Sequence, residues 1–240
     1  MPKHFKVVQR SRPWWKVKGE KATASDFHRI VTPTGQLSKQ SRDYAYWLLT
    51  QMMLGRPIET EETKYMTRGT LLEDQAIADF ELIEDVGTEP GGFITNDAET
   101  IGVSPDRLIG DNGILEIKCP APWTHMASLV EQKTEGHKPQ VQGQLWIAER
   151  EYVSILSYHP ELPSIVTKCG RDDKYIVLLS RAVEEFVADL HEKRRELEAR
   201  YGPFPEFMAE RAADGSDFIS QEDGEAIIAD FRQRGIFQEP

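Results

Sequence analysis

Apolar residues recur at helical spacing through most of residues 1–90. Serine or threonine precedes these runs and glycine or proline follows them, as expected at helix ends. The spacing predicts one helix through Phe27 and Ile30 that is capped by Thr23 or Ser25, a second from Ser38 or Ser41 to just before Gly55, and a third from Thr63 to Ile83. The N-terminal half is therefore predicted to be helical.

The pattern changes after a loop at residues 87–92 that is rich in glycine and proline. Short β-type runs alternate there with helical segments. The predicted strands cover Gly92–Thr95, Thr100–Ser104, Gly113–Lys118, Tyr152–Tyr158 and Lys174–Leu179, and the predicted helices cover Trp123–Glu131, Pro139–Glu149 and Arg181–Arg200. This alternation predicts an α/β fold, in which a central mixed sheet is flanked by helices and preceded by the helical half.

One domain is predicted over residues 1–202, with a helical part at 1–90 and a sheet-bearing part at 91–202. Pro203 and Pro205 then begin an acidic C-terminal extension over residues 203–240, in which one helix is predicted at Glu222–Arg234. A hydrophobic share of 39% and a charged share of 29% are typical of a soluble globular protein, and no apolar run could cross a membrane.

The cysteine positions limit the metal sites that the chain could form, and its charge bears on whether it could bind nucleic acid. Cys119 and Cys169 form no CxxC pair, which argues against zinc and iron–sulfur sites and favours a cytoplasmic protein. A net charge of −11 weakens the case for a nucleic-acid partner. Residues 3–21, however, carry seven lysines and arginines against one acid, Glu20. Because the local field decides binding, this basic segment keeps a DNA contact open.

One predicted hairpin carries the candidate chemistry. Asp111-Asn112-Gly113 is a strong turn between two extended runs. Side chains alternate along a strand, so Glu116 and Lys118 point to one face while Ile117 points into the core. The hairpin brings Asp106 near them. Two carboxylates suit Mg²⁺, which can activate water at a phosphate, although a solvated Glu–Lys pair would have the same local sequence.

Ser104-Pro105-Asp106 followed by Glu116-Ile117-Lys118 resembles the PD-(D/E)xK nuclease signature. The longer string SPDRLIGDNGILEIKCP resembles the lambda-exonuclease-like, YqaJ-type family of viral recombination nucleases. Further segments are similar to that family in order and spacing. They are Lys18-Gly19 with Thr23-Ala24-Ser25, Arg68-Gly69 with Glu73, the helix Pro139–Trp146, and Tyr158-His159-Pro160. The resemblance covers residues 14–200.

The resemblance implies a PD-(D/E)xK core and a role for each matching residue. Asp106, Glu116, the main-chain carbonyl of Ile117 and Glu73 would hold Mg²⁺, with Mn²⁺ as a substitute. Lys118 would act on the attacking water, and Gln140 would position that water or Lys118. Lys18, Ser25 and Ser104 would line a pocket for a 5′-phosphate. Since Lys18 replaces an arginine of the family, bidentate recognition of the phosphate is lost at that position.

Two further expectations concern glutamine and tryptophan side chains. Gln140 and Gln144 share a helix face that excludes Gln142, and one glutamine is expected in the site. Trp14 and Trp15, which lie beside Lys16 and Lys18, are candidates to stack on a DNA base or to wedge open a DNA end, with simple packing against the first helix an equal alternative.

The function implied by the resemblance is a metal-dependent 5′–3′ exonuclease on linear double-stranded DNA ends. It would release mononucleotides and leave 3′ overhangs for phage-type recombination. The family also implies a ring-shaped homotrimer, a single-strand annealing partner, and a bacterial or phage-infected host cell. The alternatives are a structure-specific or RecB-like endonuclease and a non-catalytic DNA-end-binding protein.

Overall fold

The computed structural model describes residues 1–58, 64–132 and 138–208 together with positions 218, 225, 226 and 229, and only the backbone at 64–68 and 70. Its helices are α1 (Arg12–Lys18), α2 (Ser41–Leu54), α3 (Lys64–Glu84), α4 (Pro122–Glu131), α5 (Lys138–Ile147) and α6 (Asp173–Tyr201), and a 3-10 helix spans Ala24–Arg29. Its strands are β1 (Lys3–Phe5), β2 (Ala22–Thr23), β3 (Glu89–Pro90), β4 (Phe93–Thr95), β5 (Ile101–Val103), β6 (Arg107–Ile109), β7 (Gly113–Lys118), β8 (Tyr152–His159) and β9 (Leu162–Gly170).

The strands form two mixed sheets. The first has the order β1-β4-β5-β2, in which β2 and β5 are parallel. The second has the order β3-β6-β7-β8-β9, in which β7 and β8 are parallel and the other pairs antiparallel. The chain passes from β7 to β8 through α4 and α5, as a parallel pair requires. The predicted α/β fold is confirmed. Residues 1–90, predicted as helical, also contain three short strands, β1, β2 and β3, of which β3 lies in the predicted loop at residues 87–92.

The five-stranded sheet is covered on both faces. Ile114 belongs to the main core, which includes residues of α2, α5 and α6, whereas Leu115 packs with Phe80 of α3 in a second, smaller cluster. Neighbouring residues of a strand point to opposite faces, so Glu116 follows Ile114 towards α5 and Ile117 follows Leu115 towards α3. Ile117 does pack against the cluster under α3.

The predicted hairpin is confirmed. Strand β6 pairs antiparallel with β7 from Arg107 opposite Leu115 to Ile109 opposite Gly113. Gly110 in the turn has φ of +49°, a conformation in which a side chain is disfavoured. The predicted second and third helices and the two helices between β7 and β8 are also present, and the first is the short 3-10 helix.

The prediction of a strand at Lys174–Leu179 is wrong, because these residues form the first turns of α6. Its β-branched and aromatic residues favour a strand locally. However, the Asp172 side chain accepts a hydrogen bond from the main-chain nitrogen of Tyr175 at 3.0 Å and so caps a helix. Tyr175, Ile176 and Leu179 are buried at helical spacing. The partner of β8 is instead β9, an edge strand whose Pro163 obscured it in the sequence.

Residues 203–208 pack back on the domain. Phe207 and Met208 are buried, and the Met208 main-chain nitrogen donates to the carbonyl of Gly55 at 2.7 Å. The domain boundary at 202 stays a prediction, and the helix predicted at Glu222–Arg234 falls mainly outside the described residues. Within the described ranges, no helix has the length and apolar character to span a membrane.

Candidate active site

The hairpin places Asp106 beside the end of β7. Pairing between β6 and β7 stops at Arg107 opposite Leu115, one residue before Asp106 and Glu116 would face each other. Beyond that point the Asp106 side chain replaces the strand partner, because its Oδ2 accepts a hydrogen bond from the main-chain nitrogen of Ile117 at 2.7 Å. This bond fixes one oxygen of Asp106. Its other oxygen, Oδ1, accepts no hydrogen bond from the described residues.

Glu116 is the most enclosed acid of the site, with 6% of its surface exposed. Three side chains donate to its carboxylate, each at 2.7 Å. Lys118 Nζ and Gln140 Nε2 reach Oε1, and Gln144 Nε2 reaches Oε2. A buried charge needs such donors to offset its lost hydration. Strand β7 and helix α5 therefore fix the orientation of this carboxylate together.

Two carboxylates at one place raise the electrostatic cost of ionising both. Burial raises the pKa of Asp106 well above its usual 3.8, and the charges on Glu116 and Glu73 raise it further, against the opposing Ile117 hydrogen bond and Lys118. Burial alone would lower the pKa of Lys118. The Glu116 charge and hydrogen bond, together with Asp106, outweigh burial and raise that pKa above 10.5. Lys118 is therefore an ammonium at neutral pH.

Glu73 reaches the site from α3. It lines a cavity of about 600 Å³ together with Asp106, Arg10 and Lys6. Arg10 lies 3.9 Å from Glu73, measured between Nη1 and Oε2. Among the residues that the structure describes, no group of three or more acids, histidines and cysteines is drawn together tightly enough to form a ready metal cluster. The structure thus brings Glu73 near Asp106 without joining it to Asp106 and Glu116 in one compact set.

The residues present fit a hard divalent cation. The available donors are carboxylate oxygens of Asp106, Glu116 and Glu73 and the main-chain carbonyl of Ile117, which are the oxygen ligands that Mg²⁺ takes. The raised pKa of Asp106, caused first by burial and then by the charge of Glu116, marks a place where an added positive charge is favourable. No soft sulfur ligand competes in this set. The roles assigned to these residues from sequence stay predictions.

The three residues predicted to bind a phosphate do not all line one cavity. Lys18 and Ser25 line a second cavity of about 450 Å³. Ser104 lines neither cavity: its hydroxyl donates to the carbonyl of Gly92 and accepts from Trp14 Nε1, both at 2.9 Å. Burial lowers the pKa of Lys18, although the Asp26 carboxylate opposes this.

Trp14 and Trp15 have different surroundings. Trp14 is buried against Phe93 and Ser104, which favours the packing alternative for this residue. Trp15 lines the second cavity. The ammonium of Lys18 lies 4.7 Å from the centre of the Trp14 ring and 5.2 Å from that of Trp15. The pair therefore holds Lys18 in place by cation–π contacts.

Gln144 is a site residue that the sequence did not single out. One glutamine was expected to contact the site, whereas both Gln140 and Gln144 contact Glu116. Their four-residue spacing on one helix face was the usable signal. Gln142 faces away, as expected, and bonds Gly170 and Asp172.

The fold of this chain is similar to that of several exonucleases of known structure. Among solved structures, an alkaline exonuclease from Laribacter hongkongensis is 28% identical, with a TM-score of 0.71 over 79% of this chain and 97% of its own. The same enzyme in complex with dAMP gives a TM-score of 0.72. A phage related exonuclease from Haemophilus somnus is 17% identical, with a TM-score of 0.58 over 74% of this chain and 96% of its own, and supports the fold alone. No curated protein sequence matches the chain.

These neighbours confirm the predicted PD-(D/E)xK-type fold. The profile of the YqaJ-like viral recombinase domain matches residues 13–151, a segment that includes the candidate acids, Lys118 and both contacting glutamines. The match covers more than half of the chain. The predicted family is thereby confirmed, and the chain belongs to the YqaJ-like viral recombinase domain family.

Proposed function

We propose that this protein is a metal-dependent exonuclease that degrades one strand of linear double-stranded DNA from its 5′ end. The DNA exonuclease activity itself follows from the family and from the alkaline exonuclease neighbour. The metal dependence, the 5′–3′ direction of digestion and the form of the product are our proposals and go beyond what the family and this neighbour establish. The observation that carries the proposal is the Glu116 carboxylate, which is buried next to Asp106 and held by Lys118, Gln140 and Gln144.

The metal ligands that we propose are Asp106, Glu116, the carbonyl of Ile117 and Glu73. When bound there, Mg²⁺, or Mn²⁺ in its place, would supply Lewis-acid activation of water and neutralise charge on the scissile phosphate. Asp106 is suited to its part because one oxygen is fixed by Ile117 and the other is open within the described residues. Glu73 faces the cavity from which DNA would approach.

Lys118 and the glutamines act on the reacting groups through position and charge. The ammonium of Lys118, held by Glu116, can orient a water molecule for attack and stabilise negative charge as it develops. Gln140 donates to the same oxygen of Glu116 and so keeps Lys118 and the carboxylate in one arrangement. Such positioning contributes because small misplacements of reacting atoms reduce rates strongly.

We further propose that the products are deoxynucleoside 5′-monophosphates and a 3′ single-stranded overhang. The Laribacter enzyme was solved with dAMP, a molecule of this class. A homotrimeric ring and a single-strand annealing partner in phage-type recombination complete the proposal by family resemblance. The basic residues 3–21 supply a DNA-facing charge on an acidic chain.

The test compares a linear duplex, labelled at either the 5′ or the 3′ end of one strand, with a covalently closed circle of the same sequence. We expect label from the 5′ end to appear first as mononucleotide, only with Mg²⁺ or Mn²⁺, and the circle to survive. Equal cleavage of the circle would instead indicate a structure-specific or RecB-like endonuclease. Binding of ends without hydrolysis in either metal would indicate a non-catalytic end-binding protein.

A further inference from the structure

The cavity that contains Lys18 and Ser25 is unusually rich in positive charge for this acidic chain. Three cationic side chains line it, Lys18, Lys21 and Arg29, whereas Asp26 is the one acid among its lining residues. Thr23 and Ser25 line the same cavity, and their hydroxyl oxygens lie 3.1 Å apart. Cations together with hydroxyl donors are the groups that bind phosphate in proteins. The cavity, about 450 Å³ in volume, can admit a terminal phosphate.

Arg29 is held rigidly in this cavity. Its guanidinium carbon lies 4.6 Å from the centre of the Tyr44 ring, and Tyr44 is itself stacked on Phe186 in the core. The Asp26 carboxylate is 3.7 Å from Nη1 of Arg29, which is too long for a hydrogen bond. About a quarter of the Arg29 side chain is exposed. The guanidinium is therefore oriented before any ligand arrives.

The donors of Arg29 are open to a ligand. Within the part of the chain that the structure describes, the guanidinium of Arg29 donates no hydrogen bond, and neither does the ammonium of Lys18, which contacts the two tryptophan rings. Lys21, in contrast, is committed to the carbonyl of Val17 at 2.7 Å. Two cations of different shape thus face the cavity without hydrogen-bond acceptors, and one of them has the planar fork that fits two phosphate oxygens.

We infer that Arg29 supplies the bidentate contact to the 5′-terminal phosphate of DNA, with Lys18 as a second, point-like charge. This inference rests on the proposed function for its substrate. Arginine is absent at position 18, where the family resemblance led us to expect the phosphate contact, and the structure brings a guanidinium to the same cavity from position 29. The partial pair with Asp26 is an obstacle of little weight, because ion pairs at this distance and exposure contribute little.

The test measures DNA binding without hydrolysis. Fluorescence anisotropy in EDTA compares one duplex carrying a 5′-phosphate with the same duplex carrying a 5′-hydroxyl. We expect the wild-type protein to prefer the phosphate by about tenfold or more, since charge-assisted hydrogen bonds have this effect on affinity. Arg29→Gln is expected to lose the preference and Arg29→Lys to lose most of it, because affinity falls more for the phosphorylated duplex than for the 5′-hydroxyl duplex. The matched control is Arg181→Gln, which removes an exposed arginine that pairs with Glu185.

The outcomes separate this inference from the proposed function. No preference in the wild-type protein, or full preference in Arg29→Gln, overturns the role of Arg29. If Arg29→Gln lowers the melting temperature strongly, the phosphate preference of Arg29→Lys is used instead, because lysine keeps a cation beside Tyr44. Full preference in Arg29→Lys would then overturn the bidentate role of Arg29. A wild-type protein that hydrolyses no linear DNA refutes the proposed function. Its binding preference in EDTA would still test Arg29 independently.

Discussion

Replacing Gln144 by leucine is expected to separate nuclease activity from stability. Gln144 is buried on α5 and donates from Nε2 to Oε2 of Glu116 at 2.7 Å. Its other polar atom, Oε1, is buried without a hydrogen-bond partner among the residues that the structure describes. The side chain therefore makes one strong bond to a charged group while it carries one unsatisfied acceptor. Leucine removes both at nearly the same volume.

The two contributions to stability oppose each other. A hydrogen bond to a charged group contributes about 1.5–3 kcal/mol, and a buried polar atom without a partner costs about 1–3 kcal/mol. The free energy of unfolding of Gln144→Leu is thus expected to stay within about 1 kcal/mol of wild type. Glu116, however, loses the donor to one of its two oxygens. Its reorientation is expected to lower kcat/KM by about tenfold to hundredfold.

Gln142→Leu is the matched control on the same helix. Gln142 is also buried, but it donates to the carbonyl of Gly170 at 2.9 Å and accepts from the main-chain nitrogen of Asp172 at 2.8 Å. Its loss leaves two main-chain groups without partners, so we expect about 2 kcal/mol or more of destabilisation with kcat/KM unchanged. Urea unfolding and steady-state digestion measure the two quantities. Equal destabilisation in both variants, with full activity in Gln144→Leu, would refute this account of Glu116.

Three further predictions concern the metal site, the backbone around it and the cap of α6. Mg²⁺ at one hundred times its Kd is expected to raise the unfolding free energy of wild type by about 2.7 kcal/mol, and that of Asp106→Asn hardly at all; equal thermal shifts would contradict the ligand role. A Cβ at Gly91 would lie 1.9 Å from the Pro105 carbonyl oxygen, so Gly91→Ala must displace the segment that leads into Asp106 and lower both melting temperature and activity. A fully active Gly91→Ala would show that this packing is dispensable. The hydrogen bond from Lys138 holds the pKa of Asp172 below 3.8, so its stabilisation is present above that pH and disappears as the pH falls through the lowered value. The stability difference between wild type and Asp172→Asn is therefore expected to be constant above about pH 5 and to shrink in stronger acid, as acid titration followed by circular dichroism would report.

Local patterns predicted the hairpin and the placement of its acids. The turn at Asp111-Asn112-Gly113 and the alternation along β7 need no long-range information, and both are present in the structure. The sequence failed where neighbours distant in the chain decide the structure. Lys174–Leu179 has strand-forming residues, yet the cap from Asp172 and packing on the core make it helical.

The same limit applies to the candidate site. Arg29 was not distinguishable from any other basic residue by sequence, because its fixed orientation depends on the Tyr44 ring and, through it, on Phe186. Ser104 was expected in the phosphate pocket, but a hydrogen bond from Trp14 engages its hydroxyl outside that cavity. Contacts of this kind, between the 3-10 helix and α2 or between α1 and the residue after β5, follow from tertiary packing and not from spacing along the chain.

The most direct test of the active site is strand-resolved digestion of a linear duplex by wild type and Asp106→Asn under identical conditions. Asparagine can still accept the hydrogen bond from Ile117 but removes the carboxylate charge. We expect wild type with Mg²⁺ to shorten each strand from its 5′ end, and Asp106→Asn to bind the duplex and leave both strands intact. Digestion by Asp106→Asn at the wild-type rate, or digestion by wild type in EDTA, would contradict a metal-dependent site at Asp106 and Glu116.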